Sequence, residues 1–380
     1  MANTPEIRTF VAFFGVDRTT EPVSRFTRAR VGGWLVALAV IGLTVFSITP
    51  SPYVIERPGP VFNTLESVTI NGEKQPLIDI PVEKTYPTGG ALDLLTVSAL
   101  GDRQSLPSWW EVALAWFDPS ETVLPVDAVY PPGYTIEQSN EDGRIQMANS
   151  QKDAVAAALT ELGYDLPRTV TIGALSESSP SEGILEAGDV LVSVNGTPIT
   201  DVDGLRRVIA DSGAGKPLPI TIIRNGSKMD VSVTPELSTQ DPQGPVIGVY
   251  PSIDYTFPFE VKIQLQNVGG PSGGQMFALG IIDKLTPGQL NGGKKVAGTG
   301  TITVDGTVGA IGGIRQKLYG AANSGATWFL APKSNCNEVV GHVPDGMKVV
   351  AVGTLSDSLA ALKAIETGTG TKALPSCANG

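Results

Sequence analysis

The apolar and polar positions divide the chain into one long apolar run and several mixed segments. The apolar run extends from Val31 to Thr49 without a charged residue. At ~1.5 Å per residue, a helix of this length can cross a hydrocarbon core of ~30 Å. Residues 51–148 then carry short β-branched stretches broken by Pro and Gly, which predicts strands. In Ser150–Tyr164 apolar residues recur at helical spacing, and Ser150 is placed to cap that helix.

A second β-rich segment follows Arg168. The stretch GILEAGDVLVSVNG predicts a turn, a strand and an Asn-Gly turn, and DVDGLRRVIA predicts a helix that begins near Asp201 or Asp203. Farther on, TITVDGTVGAIGG predicts a hairpin that turns at Asp305 and Gly306, and IRQKLYGAA begins a helix. We therefore expect an α+β protein with an apolar N-terminal helix.

The flanks of the apolar run indicate its orientation. Arg25, Arg28 and Arg30 precede it, and no basic cluster follows it. The positive-inside rule then predicts a cytoplasmic N-terminus and places the rest of the chain outside the cytoplasmic membrane. The run is apolar all round, which argues against an amphipathic surface helix. A cleaved signal peptide is the alternative, but the polar lead is long and no A-x-A-like site follows. We expect an uncleaved single-pass anchor.

Composition excludes several classes of function. The net charge is −11, from 27 basic and 38 acidic residues, which argues against a nucleic-acid partner. One histidine, His342, and two cysteines cannot supply a four-ligand zinc site within one chain, so no metal or other cofactor is expected. The stretch GQLNGGKK, from Gly288 to Lys295, resembles a phosphate-binding loop. It has Lys295 where the Ser/Thr metal ligand belongs and follows a helix-like stretch, so we expect no nucleotide site.

The cysteines, Cys336 and Cys377, form the one pair available. Outside the membrane thiols tend to oxidise, so we expect a disulfide that holds the tail ALPSCANG to the body of the protein. Two free thiols are the alternative.

The stretch GGPSGGQMFALGIIDKL places Ser272 at a sharp turn into a helix. Gly273 and Gly274 allow a substrate carbonyl to approach the backbone, and N–H groups at the helix start can bind an oxyanion. A serine in such a loop is more often part of a simple turn. As a nucleophile it needs a base. The chain has only one histidine, His342, so we expect a residue of another type to act as the base.

Lys317 is the base that the sequence suggests. It lies one turn into the helix IRQKLYGAA, beside the apolar residues Ile314 and Leu318. Burial can lower the pKa of a lysine from ~10.4 toward ~7–8, where it can take the proton of a serine. A lone lysine on a helix is more often solvated, so the argument depends on both residues together.

The segment after Arg168 resembles a PDZ domain of the kind attached to bacterial envelope proteases. The stretches SPSEGILEAGDVLVSVNG and ITIIRNGSKMDVSV carry this resemblance. It implies a groove between the Ile172 strand and the Leu205 helix that takes an extended peptide by strand addition. A small β domain that serves as a spacer is the alternative.

Around Ser272 and Lys317 the sequence resembles the proteolytic domain of the Lon family. GPSGG matches its G-P-S-A-G motif, and GTITVDGTVGAIGGIRQK matches its hairpin and G-G-x-x-x-K motif. The resemblance implies that Ser272 is the nucleophile, Lys317 the base and Thr299 the threonine that contacts the lysine. Gly273 replaces the family's alanine. Thr301 replaces its glutamate, which puts any acid role there in doubt.

An anchor, a PDZ domain and a Lon-type domain together resemble bacterial membrane-bound, ATP-independent PDZ/Lon-type proteases. We interpret the PDZ segment as an insertion in the Lon-type domain; a separate N-terminal domain is the alternative. The expected divisions are a cytoplasmic tail at 1–30, a transmembrane helix at 31–49, the N-terminal half of the Lon-type domain at 51–165, the PDZ domain at 166–236, the catalytic half at 237–367 and a C-terminal tail at 368–380.

The expected function is that of an ATP-independent, membrane-anchored serine endopeptidase with a Ser-Lys dyad. Its partners would be polypeptide substrates of the envelope, which the PDZ groove captures or gates, and self-association of the chain stays open. A membrane-tethered PDZ scaffold with an inactive protease-like domain is the alternative.

Overall fold

The computed structural model describes residues 25–70, 72–133, 135–176, 178–238, 244–265 and 268–377. Most of the expected cytoplasmic tail, at 1–24, lies outside the described residues, as do the last three residues of the tail at 368–380.

Helix α1 (Arg25–Ile48) contains the apolar run. Its segment Arg30–Ile48 is 19 residues long, is apolar enough to cross a membrane and is not buried against the rest of the protein. Membrane anchors and signal sequences share this length and composition.

The next segment holds six strands and three helices. They are β1 (Tyr53–Asn63), β2 (Ser67–Ile70), β3 (Glu73–Pro76), β4 (Ile78–Asp79), β5 (Ala91–Leu100), α2 (Trp109–Ala115), β6 (Thr122–Pro125), α3 (Val126–Val129) and α4 (Ile136–Glu161).

Two helices of this segment differ from the sequence-based expectation. Helix α4 begins at Ile136, not at Ser150, because Thr135 and Gln138 form a capping box there. Its first half is polar and exposed, so no apolar stripe announces it, and Ser150 lies buried in mid-helix. Helix α2 falls within the stretch expected to be only strands, and a capping box of Ser108 and Glu111 begins it.

The middle of the chain forms a second sheet, one helix and a separate pair of short strands. Its elements are β7 (Arg168–Leu175), β8 (Val190–Val194), β9 (Thr197–Pro198), α5 (Val202–Ser212), β10 (Leu218–Arg224), β11 (Ser227–Val233), β12 (Glu236–Leu237), β13 (Pro245–Val246) and β14 (Val249–Tyr255).

Strands of this sheet run in the order β11-β10-β8-β7-β14, with β9 on β8. Asp201 caps α5, as the sequence suggested. The sheet and α5 enclose an apolar core of their own, which includes Ile172, Leu205 and Ile220. Strand β14 lies beyond residue 236, so the sheet extends past the boundary expected for the PDZ segment.

The last segment returns to the first sheet. Its elements are β15 (Lys262–Ile263), α6 (Gly274–Leu285), β16 (Lys295–Gly298), β17 (Thr301–Ile302), β18 (Val308–Gly309), α7 (Ile314–Asn323), β19 (Trp328–Pro332), α8 (Cys336–Val339), β20 (Lys348–Val352) and α9 (Leu355–Thr367).

The first sheet combines strands from both ends of the chain, in the order β20-β19-β16-β5-β1-β6. Strand β16 pairs in parallel with β5, and Ala297 lies opposite Asp93. Helix α6 is buried over nearly its whole length and packs with α4 and α9 in one core. Helix α7 lies in a second core with Leu95 of β5 and Phe329 of β19. Helix α6, which follows Ser272, and helix α7, which contains Lys317, are thereby fixed to one sheet.

A disulfide joins Cys336 to Cys377, as expected from the sequence. Cys377 is buried in the same core as α7, and the N–H of Ala351 donates to the carbonyl of Pro375. The C-terminal segment is therefore held to α8 by a covalent bond and to β20 by a hydrogen bond.

We predict that replacing both Cys336 and Cys377 by Ala lowers the free energy of unfolding by roughly 2–4 kcal/mol, since the bridge closes a loop across 41 positions. Denaturant unfolding of the double variant measures the loss, and reduced wild-type protein is the matched control. Amide exchange should quicken in residues 371–377 and stay unchanged in α6. Free thiols at both positions in peptide maps of non-reduced protein would contradict the bridge.

Candidate active site

Ser272 is half-buried and lies at the turn that leads into α6. Its backbone is hydrogen-bonded to the two residues that follow β16. The carbonyl of Ser272 accepts hydrogen bonds from the N–H of Gly300, at 2.9 Å, and from Oγ1 of Thr299, at 3.1 Å. The N–H of Gln275 donates in turn to the carbonyl of Gly300. The residue pair 299–300 thus fixes the peptide unit that follows Ser272.

Helix α4 supports the same turn from the other side. The hydroxyl of Ser150 donates to the carbonyl of Pro271 at 2.8 Å, and the N–H of Gly270 donates to the carbonyl of Gly143 at 2.9 Å. A Cβ at Gly269 would approach Cα of Gly143 to 3.2 Å, so a glycine at 269 favours this close contact. Sequence reasoning missed Ser150 in this role, because only the three-dimensional path of α4 brings it to the turn.

The two glycines after Ser272 are in crowded surroundings. A Cβ at Gly273 would lie 2.5 Å from Leu94, and one at Gly274 would lie 2.7 Å from Ile302. Neither glycine N–H donates a hydrogen bond within the described part of the chain. These N–H groups at the start of α6 are therefore free to bind an anionic oxygen.

Lys317 extends from α7 to the hydroxyl of Ser272. Its Nζ lies 2.8 Å from Oγ of Ser272 and 3.1 Å from Oγ1 of Thr299. Lys317 is 3% exposed and Thr299 is 1% exposed, so the amine has little access to water. The structure thus brings together Ser272, Lys317 and Thr299, three of the residues selected from the sequence.

Burial in this site lowers the pKa of Lys317 to about 7. The carboxylate of Glu56, on β1, opposes this shift and raises the pKa of the lysine. Burial also raises the pKa of Glu56 itself, against the attraction of Lys317. Sequence reasoning missed Glu56, because this residue stands far from both motifs in the chain.

A cleft of about 620 Å³ opens in front of the Ser272 hydroxyl. Its polar groups include Glu56, Ser272 and Lys317. Its apolar wall is formed by Phe62, Leu94, Leu95, Met147 and Val268. The cleft can therefore accept an apolar side chain next to the serine.

The predicted peptide groove lies one strand away from its expected position. Strand β7, which carries Ile172, is an interior strand between β8 and β14, and Ile172 is 1% exposed. The expectation that Ile172 lines the groove is therefore wrong. A groove of about 680 Å³ lies between the edge strand β14 and helix α5, and Leu205 and Ile209 line it. In this groove a peptide could add to β14 and not to β7, because β7 has no free edge.

The stretch that resembles a phosphate-binding loop is engaged in other contacts. Nζ of Lys295 lies 3.3 Å from the carboxylate of Asp93 and donates to the carbonyl of Ser324 at 2.6 Å. Nζ of Lys294 donates to the carbonyl of Ile365. Across the described ranges, no cluster of three or more His, Cys, Asp or Glu side chains is suited to hold a metal ion.

Two protein families match the chain. Residues 267–364 match the Lon protease (S16) C-terminal proteolytic domain, and residues 144–234 match the PDZ domain. The PDZ match begins within α4 and ends before β14. The hydrogen-bonded sheet from β7 to β14 is the better guide to the extent of this unit, because α4 packs in the core of α6.

Curated relatives agree with the first match. The chain is 30% identical to a Lon protease of Azospirillum brasilense, over 47% of this chain and 22% of that protein. It is 41% identical to Lon protease 2 of Herpetosiphon aurantiacus, over 24% of this chain and 11% of that protein. The chain thus spans less than a quarter of the length of either relative.

Among solved structures, the PDZ domain of an SdrC-like protein from Listeria monocytogenes matches 21% of this chain and 83% of its own, with 16% identity and a TM-score of 0.20. Together, the family matches and the α+β architecture show that this chain joins a PDZ domain to a Lon-type (S16) proteolytic domain behind an apolar N-terminal helix.

Proposed function

We propose that the chain is a membrane-anchored serine endopeptidase that acts without ATP, with Ser272 as nucleophile and Lys317 as general base. The observation that carries this proposal is the 2.8 Å contact between Nζ of Lys317 and Oγ of Ser272, made by an amine whose pKa is about 7. Such an amine is neutral in a large fraction of molecules near neutral pH and can accept a proton.

The geometry supports a two-step hydrolysis. Oγ of Ser272 attacks the substrate carbonyl carbon while its proton passes to Nζ of Lys317. The N–H groups of Gly273 and Gly274 stabilise the oxyanion of the tetrahedral intermediate. The lysine ammonium then gives its proton to the leaving amine as the C–N bond breaks. Water repeats the sequence on the acyl-enzyme and releases the second product, which restores the serine hydroxyl.

Thr299 is a positioning residue in this scheme. Its hydroxyl lies 3.1 Å from Nζ of Lys317 and 3.1 Å from the carbonyl oxygen of Ser272, so one side chain sets both partners of the dyad. Since Nζ of Lys317 lies 2.8 Å from Oγ of Ser272, the neutral lysine is placed to accept the serine proton directly.

We propose further that the PDZ unit is inserted in the Lon-type domain and captures substrates through the groove at β14. The N–H of Thr256 donates to the carbonyl of Pro167 at 2.8 Å, so the two ends of the unit meet. This contact supports an insertion rather than a separate N-terminal domain. Extended chains or loose tails are the substrates that such a groove accepts by strand addition.

The alternative is a PDZ scaffold without catalysis. A serine-reactive fluorophosphonate distinguishes the two, since it labels an activated serine and leaves an ordinary loop serine unmodified. We expect labelling of wild-type protein at Ser272, whether or not ATP is added. Protein that binds peptides at the groove but is neither labelled nor active would favour the scaffold.

We predict that Ser272→Ala lowers kcat/KM for a peptide substrate by at least ~10³-fold, because the nucleophile is lost. The thermal midpoint should stay close to that of wild type, since no large cavity forms. Ser356→Ala, at an exposed serine on α9, is the matched control and should keep full activity. Cleavage by the Ser272 variant at the wild-type rate would exclude this residue as nucleophile.

We predict that wild-type kcat/KM rises with pH through about 7, because the base must be neutral to accept the serine proton. Glu56→Gln should move this midpoint to lower pH, since the carboxylate raises the pKa of the lysine. Glu73→Gln, at an exposed position of β3 that does not line the cleft, should leave the midpoint unchanged.

Lys317→Arg should be inactive throughout the same pH range, because arginine retains its proton. A flat wild-type profile from pH 6 to 9 would argue against a lysine base.

We predict that replacing residues 168–255 by a short Gly/Ser bridge preserves hydrolysis of short peptides but slows cleavage of unfolded proteins. The contact between Pro167 and Thr256 shows that a short bridge can span the gap. Loss of capture should raise KM for the protein substrate and leave kcat nearly constant. If a well-folded deletion variant loses short-peptide hydrolysis, the unit instead orders the active site. If neither substrate is affected, the unit is a spacer.

A further inference from the structure

Helix α2 and the two residues that follow it present an exposed aromatic face that the proposed protease chemistry does not use. Trp110, Leu114 and Phe117 follow each other at helical spacing, and Trp116 lies beside them. Their exposed fractions are 44%, 53%, 87% and 62%. We call these four residues the aromatic face. Soluble surfaces rarely group several large apolar side chains in this way without a partner.

The opposite side of α2 is fixed to the first sheet. Val112 and Ala115 are buried against Ile55 of β1. The ring of Trp109 packs edge-on against Tyr53, with centroids 5.8 Å apart. The capping box of Ser108 and Glu111 fixes the first turn. The aromatic face is therefore held outward by a rigid support.

The backbone of α2 begins at the level where α1 ends. The N–H of Trp109 donates to the carbonyl of Thr49 at 3.2 Å, one residue past α1, and the N–H of Ser51 donates to the carbonyl of Pro107 at 2.8 Å. Pro50 and Ser108 form a β-bridge between these contacts. If α1 spans the membrane, α2 lies at the boundary between hydrocarbon and water.

We propose that the aromatic face docks into the interfacial layer of the membrane that α1 crosses, and thereby holds the proteolytic domain against the lipid surface. Trp side chains favour this layer, where the ring reaches the acyl chains while its N–H stays hydrated, and Phe and Leu add apolar contact. Interfacial helices bury their apolar face ~5–10 Å deep, which matches a helix directly beside the end of a span.

The charged side chains near the aromatic face indicate which lipids are sufficient for docking. The carboxylates next to the face belong to Glu111 and Asp118, and Arg315 donates to the carbonyl of Pro119. The face carries no basic cluster that would select anionic headgroups. Docking therefore depends on apolar contact, and zwitterionic phosphatidylcholine should support it.

The docked position determines which substrates reach Ser272. Glu56 lines the cleft and stands three positions after Tyr53, which contacts Trp109. At ~3.3 Å per residue along a strand, this part of the cleft lies on the order of 10 Å from the contact between Tyr53 and Trp109 that supports α2. The substrates best placed are thus polypeptide segments close to the membrane surface. This inference rests on the proposed membrane anchoring and proteolysis.

The test uses full-length protein in phosphatidylcholine vesicles, with a bimane label at one introduced cysteine. The native cysteines are joined in the disulfide and do not react. Labels at Phe117→Cys and at Leu38→Cys in α1 should be quenched roughly two-fold or more by brominated lipid, because both sites lie within acyl-chain reach. Val82→Cys is the matched control, an apolar position with 75% exposure in the loop after β4, and should stay unquenched.

Each other result overturns the inference in a recognisable way. Quenching at Leu38→Cys without quenching at Phe117→Cys rejects docking and leaves the anchor intact. No quenching at either site rejects the anchor and the docking together. A label at Phe117→Cys that is shielded in proportion to protein concentration, and not by brominated lipid, assigns the aromatic face to a second copy of the chain.

A second variant tests the consequence for substrates. The triple change Leu114→Ser, Trp116→Ser and Phe117→Ser should leave hydrolysis of a soluble peptide unchanged. It should slow cleavage of a lipid-tethered peptide severalfold when the bond lies near the tether, and less so behind a long spacer. Equal rates for both tethered peptides in wild type and variant would reject a role for the face in substrate selection.

Discussion

The site depends on keeping the amine of Lys317 away from water. The side chain crosses from α7 to the turn before α6, where its Nζ contacts the hydroxyls of Ser272 and Thr299 and the carboxylate of Glu56 acts on it from farther away. In the unfolded chain the lysine titrates at its ordinary pKa, and in the folded chain it titrates at about 7. Between these values only the unfolded state is protonated. The free energy of unfolding therefore increases as pH rises from about 7 toward 10.5, where the penalty for burying the amine disappears. That penalty amounts to roughly 5 kcal/mol at lower pH.

Much of this arrangement follows from local sequence. Two motifs placed Ser272 and Lys317 at helix starts, and the apolar neighbours of Lys317 indicated its burial. The Asp305-Gly306 hairpin and the cap at Asp201 also follow from local turn and capping rules. Such features need only a few adjacent residues, so a single sequence is enough to predict them.

The errors concern features that depend on contacts between distant segments. Strand β14 was not assigned to the PDZ unit, because its pairing with β7 joins residues on either side of six other strands. Because β14 occupies the edge of β7, Ile172 does not line the groove. Glu56 and Ser150 reach the site only through the paths of β1 and α4, and neither has a motif. The first half of α4 has a capping box but no apolar stripe. The spacing of apolar residues therefore predicted that this helix begins at Ser150, later than its observed start at Ile136.

The pairing of β5 with β16 also has a consequence for the order in which the protein folds. Nδ2 of Asn291 donates to the carbonyl of Ala91 across 200 positions of the chain, so the central sheet closes only late. The PDZ unit has its own core and adjacent ends, and once folded it shortens the loop that must be closed. During synthesis the serine would thus emerge into an unfinished sheet, without its lysine. As the proposed nucleophile, Ser272 would become active only when β16 and α7 have joined the N-terminal strands, and this order would protect the nascent chain from cleavage by its own site.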